Sequence, residues 1–116
     1  KEYLKRINVT RIRRLHQEVV RIRDVVAKSG KLEECRKMLL RLRYLLAYTY
    51  GRLSDNERGK FKRYFETLKR AIDSLLEIQN PEELKEGIER LHTFSEAVVA
   101  YHKYYEEKER QERRGR

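Results

Sequence analysis

Residues 31–52 read KLEECRKMLLRLRYLLAYTYGR. Leu32, Cys35, Leu39, Leu42 and Leu46 recur at steps of three and four, which lines them along one side of an α-helix as an apolar stripe. Met38, Leu40 and Leu45 widen that stripe, and Gly51 marks the end of the helix. Lys37, Arg41, Tyr44, Tyr48 and Arg52 follow one another at four, three, four and four residues. At 100° per residue they gather on the opposite side, as a cationic row interleaved with two aromatic rings. A helix with a leucine side and a basic, tyrosine-bearing side must bury the first and is free to use the second.

The same period runs outward in both directions. From about Thr10 to Lys28, Ile12, Leu15, Val19, Ile22 and Val26 form a stripe, and Ser29-Gly30 supplies a helix stop. Ser54 or Asp55 can cap a third helix, lined by Phe61, Phe65, Leu68, Ile72 and Leu75 up to about Ile78, with Gly59 weakening its first turn. Asn80-Pro81-Glu82-Glu83 combines a cap, a proline at the first helical position and a capping-box-like Glu83. Helix four then runs from Pro81 to at least Tyr105. Its stripe is expected to be Leu84, Ile88, Leu91, Val98, Tyr101 and Tyr105, with Phe94 and Ala97 beside it.

Residues 107–116 hold no apolar anchor and are expected to continue as a solvated helical end and then fray. Residues 1–7 are expected to form a short extra helix or an ordered arm. Short connections between amphipathic helices favour antiparallel neighbours. The predicted architecture is therefore all-α, an antiparallel bundle of four to five helices in a single domain over residues 1–116, with its core at about 10–106.

Composition narrows the function. Charged residues make up 41% of the chain and the net charge is +10, which points to a polyanionic partner. The charge is uneven: nine basic and three acidic residues fall in 1–30, six and two in 31–53, six and five in 54–80, and eight and nine in 81–116. The positive field belongs to the first half. No apolar run approaches the roughly 18 residues of a membrane span and no signal-peptide core is present, so a cytoplasmic location without a membrane partner is expected.

Cys35 has no second cysteine and no histidine at metal spacing, and reads as a small core hydrophobe. His16, His92 and His102 are far apart in sequence and match no metal or triad motif, so each is expected to be structural or exposed. No phosphate loop, nucleophile-base pair or apolar-set acidic pair occurs. Neither catalysis nor a cofactor, metal or small-molecule substrate is indicated.

Among surface candidates, the second-helix row of Lys37, Arg41, Tyr44, Tyr48 and Arg52 has the chemistry to hold a nucleic-acid backbone while offering flat faces to bases or riboses. The bland alternative packs the tyrosines against another helix with the arginine stems snorkelling around them. Helix one places Arg13, Arg14, Arg21 and Lys28 away from its apolar stripe, with Arg11 and Arg23 on the flanks. Arginine suits phosphate because its planar fork donates two parallel hydrogen bonds. Helix three adds Lys60, Arg63 and Arg70, with Glu66 and Asp73 spaced to pair with some of them as ordinary surface ion pairs.

Three stretches together resemble the small helical subunit of the type III-A CRISPR interference (Csm) effector complex. They are Thr10-Arg11-Ile12-Arg13-Arg14-Leu15, Leu45-Leu46-Ala47-Tyr48-Thr49-Tyr50-Gly51-Arg52, and the run from Phe94 to Tyr105 that contains Ala100-Tyr101-His102-Lys103. The resemblance covers most of residues 10–106, and the helix-three region departs from the family pattern. It implies a non-catalytic antiviral-defence subunit that stacks in several copies beside the repeated backbone subunit, along the duplex of guide RNA and target RNA. The implied partners are those RNAs, single-stranded nucleic acid more generally, other Csm subunits and further copies of the chain. Carried over residue by residue, it marks Arg11, Arg14, Arg41, Tyr48 and Arg52 as RNA contacts, and Lys103 as reaching RNA or an adjacent subunit. Base pairing supplies sequence specificity in such a complex, so a filament subunit need only hold phosphate and sugar. Two rival readings are a helical protein-protein scaffold and a helical enzyme of the chorismate mutase type, the latter requiring arginines that converge on an enclosed pocket.

Overall fold

A computed structural model describes the backbone of residues 2–29 and 31–115 and the side chains of residues 10–28 and 31–115. Four α-helices follow one another: α1 Glu2–Ser29, α2 Leu32–Gly51, α3 Asp55–Glu77 and α4 Pro81–Arg114. The chain is all-α, a bundle of four helices. Contacts fix the order of packing. Arg36 and Arg43 of α2 reach Ile78 and Asp73 beside and within α3, and His16 and Arg23 of α1 reach Ser95 and Glu89 of α4. Each successive helix therefore runs antiparallel to the one before, and α4 also runs antiparallel to α1.

The core is built from the periodic residues. Ile12, Leu15, Val19 and Ile22 of α1, and Cys35, Leu39, Leu42 and Leu46 of α2, are buried against Phe61, Leu68, Ile72 and Leu75 of α3 and Leu84, Ile88 and Leu91 of α4. Leu32, on the same stripe, is half-buried, and Phe65 stacks on Tyr50 with ring centres 4.2 Å apart.

The caps are where the sequence signals lie, with one exchange. Ser54 caps α3, and its hydroxyl accepts from the Glu57 N–H while the Glu57 carboxylate accepts from the Ser54 N–H, so the complete reciprocal box is here. At α4 the Asn80 side chain accepts from the N–H groups of Glu82 and Glu83. Arg11 donates to the second oxygen of Glu57 at 2.9 Å, tying the middle of α1 to the start of α3. The Ser54 N–H in first place, with the Ser54 hydroxyl and Arg11 adding to it and burial opposing, holds the Glu57 carboxyl below the usual carboxylate range.

One expectation at the ends of the chain is corrected, and the helical continuation expected at the other is found. The segment before Thr10 is neither a separate helix nor an arm: from Glu2 onward its backbone is the first part of α1. Gly30, half of the expected stop signal, lies outside the described residues. Helix α4 continues through the charged end to Arg114, where Arg110 pairs with Glu106 and Glu107 one turn back. At 34 residues it is about 51 Å long, nearly the 54 Å long axis of the molecule. Because Arg11 sits level with the α2–α3 turn, residues 2–9 of α1 and the last turns of α4 extend past that turn.

The expected stripe of α4 also fails beyond Val98. Tyr101 and Tyr105 are exposed, while His102 and Glu106 are half-buried. The less exposed face of α4 passes through Ser95, which meets His16 of α1, and on through His102 and Glu106 at coiled-coil steps, and those positions hold polar residues. Following the apolar residues alone leads off the seam by one helical position.

That seam titrates. His16 shares a 2.8 Å hydrogen bond with the buried Ser95 hydroxyl, and its ring lies 5.5 Å from that of His92. Burial first, and His92 second, lower the His16 pKa, with Glu96 opposing them; burial alone lowers that of His102. A histidine depressed in the folded state takes up its proton less readily than in the unfolded chain. Stability from this source is complete above about pH 6.5 and declines as pH falls from there through the folded-state values. Thermal unfolding midpoints should fall between neutral and mildly acidic buffer, and less so in a His16→Gln variant. An equal fall in both proteins would show that His16 contributes nothing to the pH dependence.

Candidate nucleic-acid interface

The cationic row of α2 stays in solvent. Lys37, Arg41, Tyr44, Tyr48 and Arg52 are all exposed, Tyr44 at 67% and Tyr48 at 61%, so the tyrosines are not packed against a neighbouring helix of this chain. The five positions span about 22 Å along the helix axis. Lys37 and Arg41 form no ion pair among the described residues. Arg52, the first residue beyond α2, lies with its guanidinium 5.5 Å from the Tyr48 ring centre and donates to the Tyr48 hydroxyl at 3.1 Å. A planar cation held beside an exposed ring is a surface on which a base or ribose can stack while the remaining N–H groups meet a phosphate.

Helix α1 contributes to the same side. It turns His16 and Arg23 toward α4, and α2 turns Arg36 and Arg43 toward α3, so the other flanks of α1 and α2 meet each other. Arg14 and Arg21 occupy that flank of α1 by helical spacing and are exposed beside the α2 row. Arg14 forms no ion pair among the described residues, whereas Arg21 pairs with Glu18. The two remaining candidates are placed elsewhere. Arg11 is half-buried and committed to Glu57. Lys103 is exposed on α4, which stands diagonally across the bundle from α2, so it does not join the row.

The family model described as Csm2 Type III-A matches residues 1–108. The chain belongs to the Csm2 type III-A family. It is thus a member of the small-subunit family of the type III-A CRISPR (Csm) effector complex. Neither the curated proteins nor the solved structures compared with it include a match.

Other groups in this Csm2-family chain have structural surroundings. Cys35 is buried, and burial pushes its thiol up to about 11, which keeps it protonated and unreactive at neutral pH. Ser95, although bonded to His16, is too deeply buried to reach a substrate. Among the described residues no three His, Cys, Asp or Glu side chains gather as metal ligands, and no helix is long and apolar enough to cross a membrane. An apolar groove of about 260 Å³ lies between α3 and α4. Arg90 is the one arginine in its lining, where a dianion-binding pocket of the mutase type requires several.

Sequence inspection missed the exposed tyrosine cluster at the end of α4, where the Tyr101 and Tyr105 rings lie 4.6 Å apart and Tyr104 meets Tyr105 edge-on at 5.3 Å. The polar seam residues Ser95, His102 and Glu106 were the available signal. It also passed over Lys62 and Lys69, whose seven-residue spacing repeats that of Arg63 and Arg70.

Proposed function

We propose that this Csm2-family chain is a non-catalytic, cytoplasmic RNA-backbone binder that stacks with further copies of itself and with other Csm subunits, and holds guide and target RNA without reading sequence. The observation that supports it is the α2 row: two unpaired cations, a third beside an aromatic face, and two tyrosines in solvent, flanked by Arg14 of α1. Such a surface meets phosphate through charge and ribose or base through stacking, and it offers no fixed set of groups matched to one base edge. Arg11 is assigned a positioning role, since its guanidinium already holds Glu57. The exposed rings of Tyr101, Tyr104 and Tyr105 are offered to protein neighbours, because tyrosine is enriched at such contacts and the charges around them nearly cancel.

Fluorescence anisotropy of the full chain with labelled RNAs of unrelated sequence tests the proposal. If Arg14, Lys37, Arg41 and Arg52 each take a phosphate, they contribute about −2.8 to the salt slope for a single strand, so affinity falls by at least about 50-fold between about 50 and 200 mM salt. RNAs of different sequence should bind within a few-fold of one another. Binding that ignores salt, or that follows one sequence, would remove the basis for a backbone-binding role.

A further inference from the structure

Helix α3 carries charge that the α2 row does not use. At helical spacing Glu66 and Asp73 could neutralise Lys60, Arg63 and Arg70. Instead Asp73 reaches across to α2 and pairs with Arg43, Oδ1 to Nε 3.1 Å. Among the described residues Glu66 forms no ion pair, and neither do Lys60, Lys62, Arg63, Lys69 and Arg70, all of them exposed. The ordinary surface pairing expected of this helix is therefore absent.

What remains is ordered. The Lys62-Arg63 pair repeats as Lys69-Arg70 two turns later, about 10.5 Å along the axis. With Asp73 occupied elsewhere, only Glu66 opposes these four cations. Like charges crowded on one helix repel one another, and a bound polyanion relieves that repulsion. Lys62 and Lys69 fall on the flank of α3 that bears Asp73 and Phe65, the flank turned to α2, while Arg63 and Arg70 lie farther round. Across the α2–α3 groove from the ridge lie Arg36 and Arg43 and then the exposed Leu40 and Ala47, beyond which the α2 row begins at Tyr44 and Lys37, so ridge and row share the outer side of the α2–α3 pair.

An acidic protein would satisfy the charge equally well, but a protein contact is anchored by large apolar or aromatic side chains. Every exposed large hydrophobic residue among those described lies on α2 or α4, and none lies on α3. We propose that Lys62, Arg63, Lys69 and Arg70 form a second phosphate-binding ridge that extends the RNA surface of α2 onto α3. The ridge deepens the proposed RNA-binding role and rests on it.

The test compares three variants of the full chain in RNA titrations at several salt concentrations: Lys62→Ala/Arg63→Ala/Lys69→Ala/Arg70→Ala, Arg41→Ala/Arg52→Ala, and both sets combined. The α3 variant should bind on the order of 100-fold more weakly at about 0.1 M salt and lose about 2 to 3 units of salt slope, and the combined variant should bind more weakly than either. A swap that keeps charge, Lys62→Arg/Arg63→Lys/Lys69→Arg/Arg70→Lys, should retain the wild-type slope. The milder Lys69→Gln/Arg70→Gln, expected to lose about half as much slope, covers the case in which the fourfold variant does not fold. Wild-type binding by the α3 variant beside weakened binding by the α2 variant overturns the ridge and leaves the α2 role intact. Wild-type binding by all three overturns both. An α3 variant that keeps its RNA affinity but no longer assembles with other Csm subunits identifies a protein contact, and the ridge proposal falls.

Discussion

Replacing Arg41 and Arg52 together by Glu should weaken RNA binding about 30- to 100-fold, on the order of 2–3 kcal/mol. Each guanidinium lost removes a charge-assisted contact of about 1 kcal/mol or more at an exposed site. Each carboxylate gained repels the same phosphate. The expected change in salt slope is about 1.4 for the two lost contacts alone, so the loss is greatest at low salt and shrinks as screening rises. Arg41→Glu/Arg52→Glu should leave stability within about 1 kcal/mol of wild type, because both side chains are exposed and Arg52 caps α2 through its backbone N–H, so the main cost is a carboxylate at a helix C-terminus. Arg41 forms no ion pair within the described chain, and the one bond recorded for Arg52 outside the backbone is to the Tyr48 hydroxyl. An RNA titration paired with urea unfolding separates the two effects. Unchanged affinity at low salt in a folded variant would transfer the positive field's role to other residues.

The two-sidedness behind that expectation is legible from sequence because α2 is a short helix packed on one side only. Its leucines and its cations keep a strict three-and-four period, and nothing in the bundle competes for the outer face. Where polar residues line the inner face of a helix, the period of its apolar residues is less decisive. The less exposed face of α4 runs through Ser95, His102 and Glu106, polar residues that no hydrophobic pattern selects, so Tyr101 and Tyr105 look like core and are surface. Pairing across helices is harder still. Arg11 looks like one basic residue among several on helix one, and only the packing of α1 on the start of α3 gives it Glu57. Asp73 is well placed for Arg70 along its own helix, yet takes Arg43 from α2. Spacing within one helix states which pairs are possible, and tertiary neighbours decide among them.

Leu39→Ala should cost about 2–5 kcal/mol of stability. Leu39 is wholly buried, at the centre of the α2 stripe between Cys35 and Leu42. Truncation there removes the transfer free energy of the lost carbons and leaves a cavity that the four-helix packing closes only in part. A domain of this size holds roughly 5–15 kcal/mol in total, so the loss is a large share, and the unfolding midpoint should drop by about 10–20 °C. Leu40→Ala, one position round the helix and 37% exposed, should cost about 1–1.5 kcal/mol, since only part of its apolar area is withdrawn from water and truncation leaves no closed cavity. The contrast matters for RNA as well as for folding. Below its lowered midpoint the Leu39→Ala chain still presents Lys37, Arg41, Tyr44, Tyr48 and Arg52 on an intact helix surface, so its RNA affinity should match wild type while its stability does not. The Arg41→Glu/Arg52→Glu chain should show the reverse. If instead Leu39→Ala lost RNA affinity while still fully folded, the two sides of α2 would be coupled, and the outer row would depend on how tightly the leucines behind it are packed.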